Sequence, residues 1–589
     1  MPVALSGLIA TIVGAGAVGA ALQTGLAALT MFASTTLGGL ALTLGFSYLA
    51  SSMFRPSQPK PEDVQQQVRQ PTAPRIRHYG RVKMSGTWAF AETKSGNFYK
   101  VLALGQGPFD GIESFWIDDN YLPLDGAGYP IGPTPYRQGG TGAPLLRIQS
   151  RLGNSTETAF EELLVNFPEW TYDHRGDGVA SLLACQYAVG QEYYLGLFSN
   201  GINTNYRVVA RTSLVKNPVT GVTEWNDKAA AVIRDFMTHR DGMRLPESLF
   251  TTPLAQAGWV DAYNRSNEGI AIAAGGTEPR YRLWGSYQLN ERPADVLGRM
   301  LACCDGRLVP TPDGGLTLDI GAWEEPTVIL TTDAITGFSD VGRGRDVLTS
   351  ANTVRATFLD PSQDYQSTDA DPWADENDVS ERGEEAKDVQ FNMAPSHSQA
   401  RRLMKLEWWR ANPAWVGTFN TNLMGLAAFG KRFIRIQYPL FGINSVFEVL
   451  DFKFILGEGG ILQGATVQVQ SMPQTAYRWD VTQEGTAPVS DSSTVDDDLP
   501  IPSAPSVIIQ SGPVAELSFP PTGNLLLSYM VRWRKTADTE WITFGPLANN
   551  AETYTTPSLA AATEYEFQLA MRTEKGRVGT YSASTIKTT

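Results

Sequence analysis

At 589 residues the chain exceeds what one hydrophobic core organises, so it reads as several domains. Its formal net charge of −14 excludes a surface built to grip nucleic-acid phosphates, while suiting one that nucleic acid passes without sticking. Three cysteines (Cys185, Cys303, Cys304) set out no disulfide framework, and four scattered histidines (His78, His174, His239, His397) offer no metal-ligand spacing, so neither metal nor other cofactor is expected.

Residues 1–54 form a Gly/Ala-rich leader without a charge before Arg55. Two apolar segments, 3–22 and 26–49, are each long enough to span a bilayer as a helix. Gly14, Gly16, Gly19, Gly38 and Gly39 permit close helix–helix approach, in a membrane or in a packed lumen. No positive region follows Met1, which disfavours a secretory signal. Three readings stay open: a hairpin in a host membrane, helices packed inside a symmetric assembly, or a disordered leader. The Pro/Gln-rich residues 55–74 read as an extended linker.

From Arg75 to residue 280 the pattern is β-rich. Strands around 76–82, 86–90 and 98–104 lead to Gly105-Gln106-Gly107-Pro108, a tight corner, and then to a strand through Asp119. Further strands are expected at 179–188 and 206–213. A helix follows, capped by Asp227, with Ala229, Val232, Ile233, Phe236 and Met237 on one face and Gly242 at its end.

Residues 281–320 are the most patterned stretch. Tyr281, Leu283, Gly285 and Tyr287 alternate with polar residues as in a strand. Pro293 opens a helix with Val296, Leu297, Met300, Leu301 and Cys304 on its apolar face. Gly306 is expected to stop it in the left-handed conformation, and a hairpin turns at Asp313-Gly314. The unit is α+β and carries no chemistry. Residues 281–480 continue in this style. They include an acidic stretch, 360–388, expected as a solvated or lumen-facing loop because its carboxylates lack the order of a calcium loop. A helix capped by Ser396 or Ser398 follows, with Arg401, Arg402 and Lys405 expected off its apolar face, then three or four strands between Trp415 and Met472. Residues 481–504 read as a second linker, and 505–589 as a seven-stranded β-sandwich.

The fold class is therefore multidomain and mainly β, with α+β domains, N-terminal apolar helices and a C-terminal β-sandwich. That sandwich resembles a fibronectin type III domain. Tyr529-Met530-Val531-Arg532-Trp533-Arg534 is similar to its central strand, and Leu559 through Thr563 and Tyr565 to its Leu-x-x-x-Thr-x-Tyr segment. The resemblance makes Tyr565 the corner tyrosine, its hydroxyl bonded back to the main chain.

A larger resemblance spans residues 75–472. Gln106-Gly107-Pro108-Phe109-Asp110-Gly111 through Ile117-Asp118-Asp119, the 281–320 unit, Ala351-Asn352-Thr353-Val354 through Asp360-Pro361, and Ser398-Gln399-Ala400-Arg401-Arg402-Leu403 follow in the order seen in tail tip hub proteins of long, non-contractile-tailed phages and gene transfer agents. Gly107 and Gly111 become fold-determining positions on this basis. The resemblance implies a virion protein at the tail tip, made in the host cytoplasm and working as a homotrimer that closes the tail tube and opens for DNA ejection. Implied partners are the distal tail protein ring, a hub-associated tail tip protein, the C-terminus of the tape measure protein and a separate central fibre or receptor-binding protein. Host membrane contact would run through residues 1–54, and DNA would pass the lumen without specific binding. No catalytic residues are expected. The competing readings are a tail-associated cell-wall hydrolase and a membrane-anchored adhesin with a fibronectin-like domain.

Overall fold

The computed structural model describes residues 65–69, 73–132, 134–138, 141–190, 194, 197–344, 350–457, 460–488, 499–524, 527–573 and 578–589. The leader and its glycines Gly14, Gly16, Gly19, Gly38 and Gly39 lie outside them. Among the described residues no helix is long and apolar enough to cross a membrane. The fold is mainly β, as expected, and forms two compact units: residues 65–213 with 499–589, and residues 214–488.

The first unit opens with an antiparallel sheet in the order Thr87–Lys94, Asn97–Gln106, Val179–Gln186, Leu146–Arg151. Strand periodicity splits its two central strands between two cores. Leu102, Leu104, Leu182 and Ala184 face one core with Met84, Phe109 and Val208. Tyr99, Val101, Leu183 and Cys185 face the other, where helix α1 (Glu161–Asn166) supplies Leu163 and Phe167 follows it. Both faces are covered, so these strands read as near-continuous apolar runs rather than alternations. A second sheet sets Phe109–Ile117 between Asn120–Leu122 and Tyr206–Lys216.

The C-terminal part of this unit is a sandwich. Ser506–Gln510, Val514–Ser518 and Thr553–Thr555 form one sheet. Ile542–Phe544, Leu527–Lys535, Glu564–Thr573 and Thr585–Thr588 form the other. Leu517, Tyr529, Val531, Trp533, Phe567 and Leu569 fill the space between. The last strand begins at Thr585.

The second unit carries helices α2 (Ala229–Thr238), α3 (Pro253–Ser266) and α4 (Pro293–Ala302), then the hairpin Arg307–Pro310 and Leu316–Asp319. Thr353–Asp360 pairs with Gln366–Asp369, Trp373–Ala374 and, in parallel, Ala386–Phe391. Helices α5 (Glu376–Arg382) and α6 (His397–Ala411) accompany this sheet. A six-stranded sheet completes the unit, ordered Ile329–Leu330, Phe433–Tyr438, Ile443–Leu456, Leu462–Ser471, Trp415–Thr421, Ile335–Arg343.

Several local expectations change. Asp227 does not cap α2: its carboxylate accepts from Trp284 Nε1 at 2.9 Å and pairs with Lys228, so Lys228 stands at the helix start without a side-chain cap. Helix α4 ends at Ala302 with Cys303 as its C-cap, and the left-handed residue of the turn is Asp305 (φ 48°), not Gly306. Gly306 is required for space instead, because a Cβ there would come 2.9 Å from Cys304 Sγ and 3.0 Å from Leu301 Cδ2. The acidic stretch 360–388 is not a loop. Asp375 caps α5 by accepting from the Asp378 amide, and Asp378 pairs with Arg382 one turn on, so carboxylates that looked solvated hold up local structure. The cations of α6 are not on a wet face either. Arg401, Arg402 and Lys405 are buried, each bonded to main-chain carbonyls. The start of the supposed second linker is one of their partners: Val481–Glu484 forms a 3-10 turn whose Gln483 carbonyl accepts from Arg401.

Candidate functional site

The sequence-derived positions do not converge on one site. Gly107 precedes a cis peptide to Pro108 at the corner between two strands, its N–H bonded to the Gly178 carbonyl at 2.9 Å. A Cβ on Gly107 would lie 2.3 Å from the Gly153 carbonyl oxygen, so only glycine fits. Gly111 lies in the following strand, where a Cβ would find only Arg211 Nη2 at 4.0 Å, and sterics impose nothing there. Tyr565 sits in the sandwich, its hydroxyl accepting from the Ala560 amide at 3.2 Å across the corner. All three cysteines are buried.

What the structure does gather is a buried ionic network in the second unit. Asp305 follows α4, Arg307 and Asp319 face each other across the hairpin, Lys387 belongs to Ala386–Phe391, and Glu407 and Arg410 come from α6. The six-stranded sheet contributes Glu448, and Arg432 immediately precedes its strand Phe433–Tyr438. Arg410 spans Glu448 with Nε–Oε2 3.0 Å and Nη2–Oε1 2.9 Å, and reaches Asp305 Oδ1 at 2.8 Å. Arg432 meets Asp305 Oδ2 at 3.1 Å and Glu448 Oε1 at 3.4 Å. Arg307 pairs with Asp319 at 2.7 Å, and Lys387 with Glu407 at 2.7 Å. The side chains of Asp305, Arg410, Arg432 and Glu448 are only 4–9 % exposed. A cavity of about 240 Å³ lies against them, walled also by Leu301, Leu403 and Gln470.

The electrostatics follow from burial and pairing. Burial pushes the Glu448 carboxyl up, but Arg410 and Arg432 more than reverse this and hold it down to about 2. Burial raises Asp305, a shift that Arg410 and Arg432 oppose and the Glu448 charge reinforces. Burial likewise raises Glu407, and Lys387 and Arg410 outweigh it to leave it low. Every carboxylate here is engaged by a cation, and the pairs tie α4, the hairpin, α6 and the six-stranded sheet together.

A second polar joint is Gln399 on α6, fully buried. Its amide donates to the Arg282 carbonyl at 2.9 Å and the Cys303 carbonyl at 2.8 Å, and its oxygen accepts from the Arg282 amide at 3.0 Å. In the first unit, Lys100 is buried and donates to Ile202 O (2.6 Å), Thr204 O (3.1 Å) and Gln67 Oε1 (3.1 Å), with Trp88 stacked 4.2 Å away. Burial lowers its pKa to about 7. Residues 65–69, expected as free linker, are thereby held on the domain: Gln65 is buried and Val68 bridges to Thr87. Arg572 of the sandwich donates to Ser199 O at 3.3 Å and to Asn200 Oδ1.

Sequence reasoning passed over Glu448, Arg432 and Arg410. The available signal was a charge inside an apolar run, as in Val446-Phe447-Glu448-Val449-Leu450. Among the described residues no group of three or more His, Cys, Asp and Glu is arranged to hold a metal ion.

No described protein family matches the chain, and no curated protein matches it. Among solved structures it is similar to a chain from the virion of a native gene transfer agent particle, with 12 % identity and TM-score 0.49 over 79 % of this chain and 98 % of that one. It is also similar to a fibronectin type III domain of human collagen XX, with 24 % identity and TM-score 0.14 over 15 % of this chain and 92 % of that one.

Proposed function

We propose that the chain is an architectural protein of a phage-like virion, the tail tip hub that closes the distal end of the tail tube and opens for DNA ejection on host binding. Gln399 carries this reading. It belongs to one of the four sequence pieces that resemble tail tip hubs, and it bonds directly to Arg282 and Cys303 of a second. On the same helix Trp408 Nε1 donates at 3.2 Å to the carbonyl of Asn352, which belongs to a third. The fourth turns at the Gly107–Pro108 corner. The resembling residues are thus internal joints of the fold, which supports a shared scaffold rather than a shared active site.

In this role the chain acts as a homotrimer with the distal tail ring, a hub-associated tip protein, the tape measure C-terminus and a separate fibre or receptor-binding protein. Its net charge of −14 suits a lumen that DNA traverses. It is not an enzyme. The carboxylates that a wall hydrolase would need in 360–388 include Asp375 and Asp378, which are engaged in a helix cap and an ion pair. Immunogold labelling of particles with antibody against the sandwich tests the assignment: gold at the tail end is the expected result, and particles without label reject it.

A further inference from the structure

The ionic network lies on a seam within the second unit. On one side stand α4, the hairpin, Ala386–Phe391 and α6; on the other stands the six-stranded sheet. The charges are divided evenly. Asp305, Arg307, Asp319, Lys387, Glu407 and Arg410 sum to zero on the helical side, and Arg432 with Glu448 to zero on the sheet side. Each side also keeps pairs of its own: Arg410 with Asp305 (2.8 Å) and Glu407 (3.3 Å), Arg307 with Asp319, Lys387 with Glu407, and Arg432 with Glu448. Among the described residues the ion pairs Arg410–Glu448, Arg432–Asp305 and the longer Arg432–Asp319 (3.8 Å) cross the seam, beside bonds from Arg432 to the Asp305 carbonyl (2.7 Å) and from Arg307 to the Val449 carbonyl (3.3 Å).

We propose that this seam is a separable joint, opening locally and reversibly while the rest of the unit stays folded. Parting an apolar interface exposes surface that water rejects; parting this one strips no charge of every partner and gains hydration for all of them. The cavity of about 240 Å³ at the seam shows the faces are not close-packed, and the charged groups in its mixed wall (Asp305, Arg307, Lys387, Glu407, Arg410, Arg432, Glu448) offer partners to water. The apolar contacts nearby (Leu406, Phe433, Met472, Tyr477, with Trp323 and Trp409) gather where the chain itself crosses, Trp323 lying on the segment from hairpin to sheet. That places a hinge beside the charged groups of the cavity. The inference concerns this unit alone and does not rest on the tail-tip reading.

Cys304 reports on the joint. Its thiol is buried directly behind Gly306, a cavity-wall residue with no side chain to shield it. The full chain carrying Cys303→Ala is pulsed with a thiol reagent across low urea concentrations, and labelling of Cys304 is compared with that of Cys185 in the other unit. Cys304 labelling is expected to depend on urea less than about half as steeply as global unfolding of its unit. The double variant R410M/E448M, which replaces the crossing pair by apolar contact, is expected to slow Cys304 labelling at least about tenfold and leave Cys185 unchanged. Labelling of Cys304 only through global unfolding, with the full urea slope, overturns the proposal. Should R410M/E448M not fold, R410K is read instead: it loses the two-point grip on Glu448 and is expected to speed Cys304 labelling about tenfold, and an unchanged rate overturns the proposal.

Discussion

Arg410 grips Glu448 side-on, with two nitrogens on two carboxylate oxygens at 3.0 and 2.9 Å, across a boundary between a helix and a sheet. Removing either partner alone leaves the other charge buried beside fewer counter-ions. Arg410→Ala and Glu448→Ala are each expected to destabilise the unit by about 3–5 kcal/mol, measured by urea unfolding. The double-mutant cycle is expected to show strong coupling, with the doubly substituted protein losing less than the sum.

Gln399, itself fully buried, satisfies one amide and two carbonyls. Gln399→Leu keeps the volume and loses all three bonds, so a loss of about 2–4 kcal/mol is expected. Circular dichroism melts against the wild type would read it. Gln399→Glu distinguishes the roles of the two ends, because it keeps the acceptor for the Arg282 amide and loses the donor to the carbonyls.

Two glycines in one stretch separate steric need from mere position. Gly107→Ala drives a methyl to 2.3 Å from the Gly153 carbonyl and is expected to cost more than about 2 kcal/mol. Gly111→Ala meets open space and is expected to change stability by no more than about 0.5 kcal/mol. A shared thermal-shift assay on both variants tests the contrast.

His78 gives the first unit a defined acid sensitivity. Its ring is fully buried with Nε2 3.0 Å from the Leu104 carbonyl, and burial lowers its pKa to about 4. The unfolded chain therefore binds a proton that the folded chain refuses between about pH 6.5 and 4, and stability falls with pH through that window. The full effect is about 3 kcal/mol. His78→Gln is expected to flatten the slope of unfolding free energy against pH between 6.5 and 4, whatever its effect at neutral pH.

Tyr565→Phe removes one acceptor for the Ala560 amide without altering the packed ring. About 1 kcal/mol of sandwich stability is expected to go, read from the melting of the full chain by exchange of the 560 amide.

The elements were largely legible because their hydrophobic periods are clean. Val296, Leu297, Met300 and Leu301 give α4 its face, and the seven strands of the sandwich follow from turn spacing. Polar positions were misread wherever tertiary structure supplied the partner. Arg401 and Arg402 look like a solvated face until residues 481–484 and Glu278 are placed over them. Asp305 takes the left-handed turn that a neighbouring glycine seemed to own, where Arg410 and Arg432, more than 100 residues away, hold its carboxylate. Gly306 matters for the space beside Cys304 and Leu301, not for a left-handed backbone. The ionic network itself needs residues from five separated segments, and no local pattern announces such a meeting.

The strap at residues 65–69 has a mechanical meaning. A pull applied at residue 65 enters the folded body through Gln67 held by Lys100 and Trp88, Gln65 held by Asn205, and the bridge of Val68 to Thr87. These contacts lie one after another along the chain, so a pull peels them in sequence instead of loading them together as a long strand ladder would. The strap lies outside the core that Leu102 and Tyr206 share, so a pull from that end loads the strap contacts before the core.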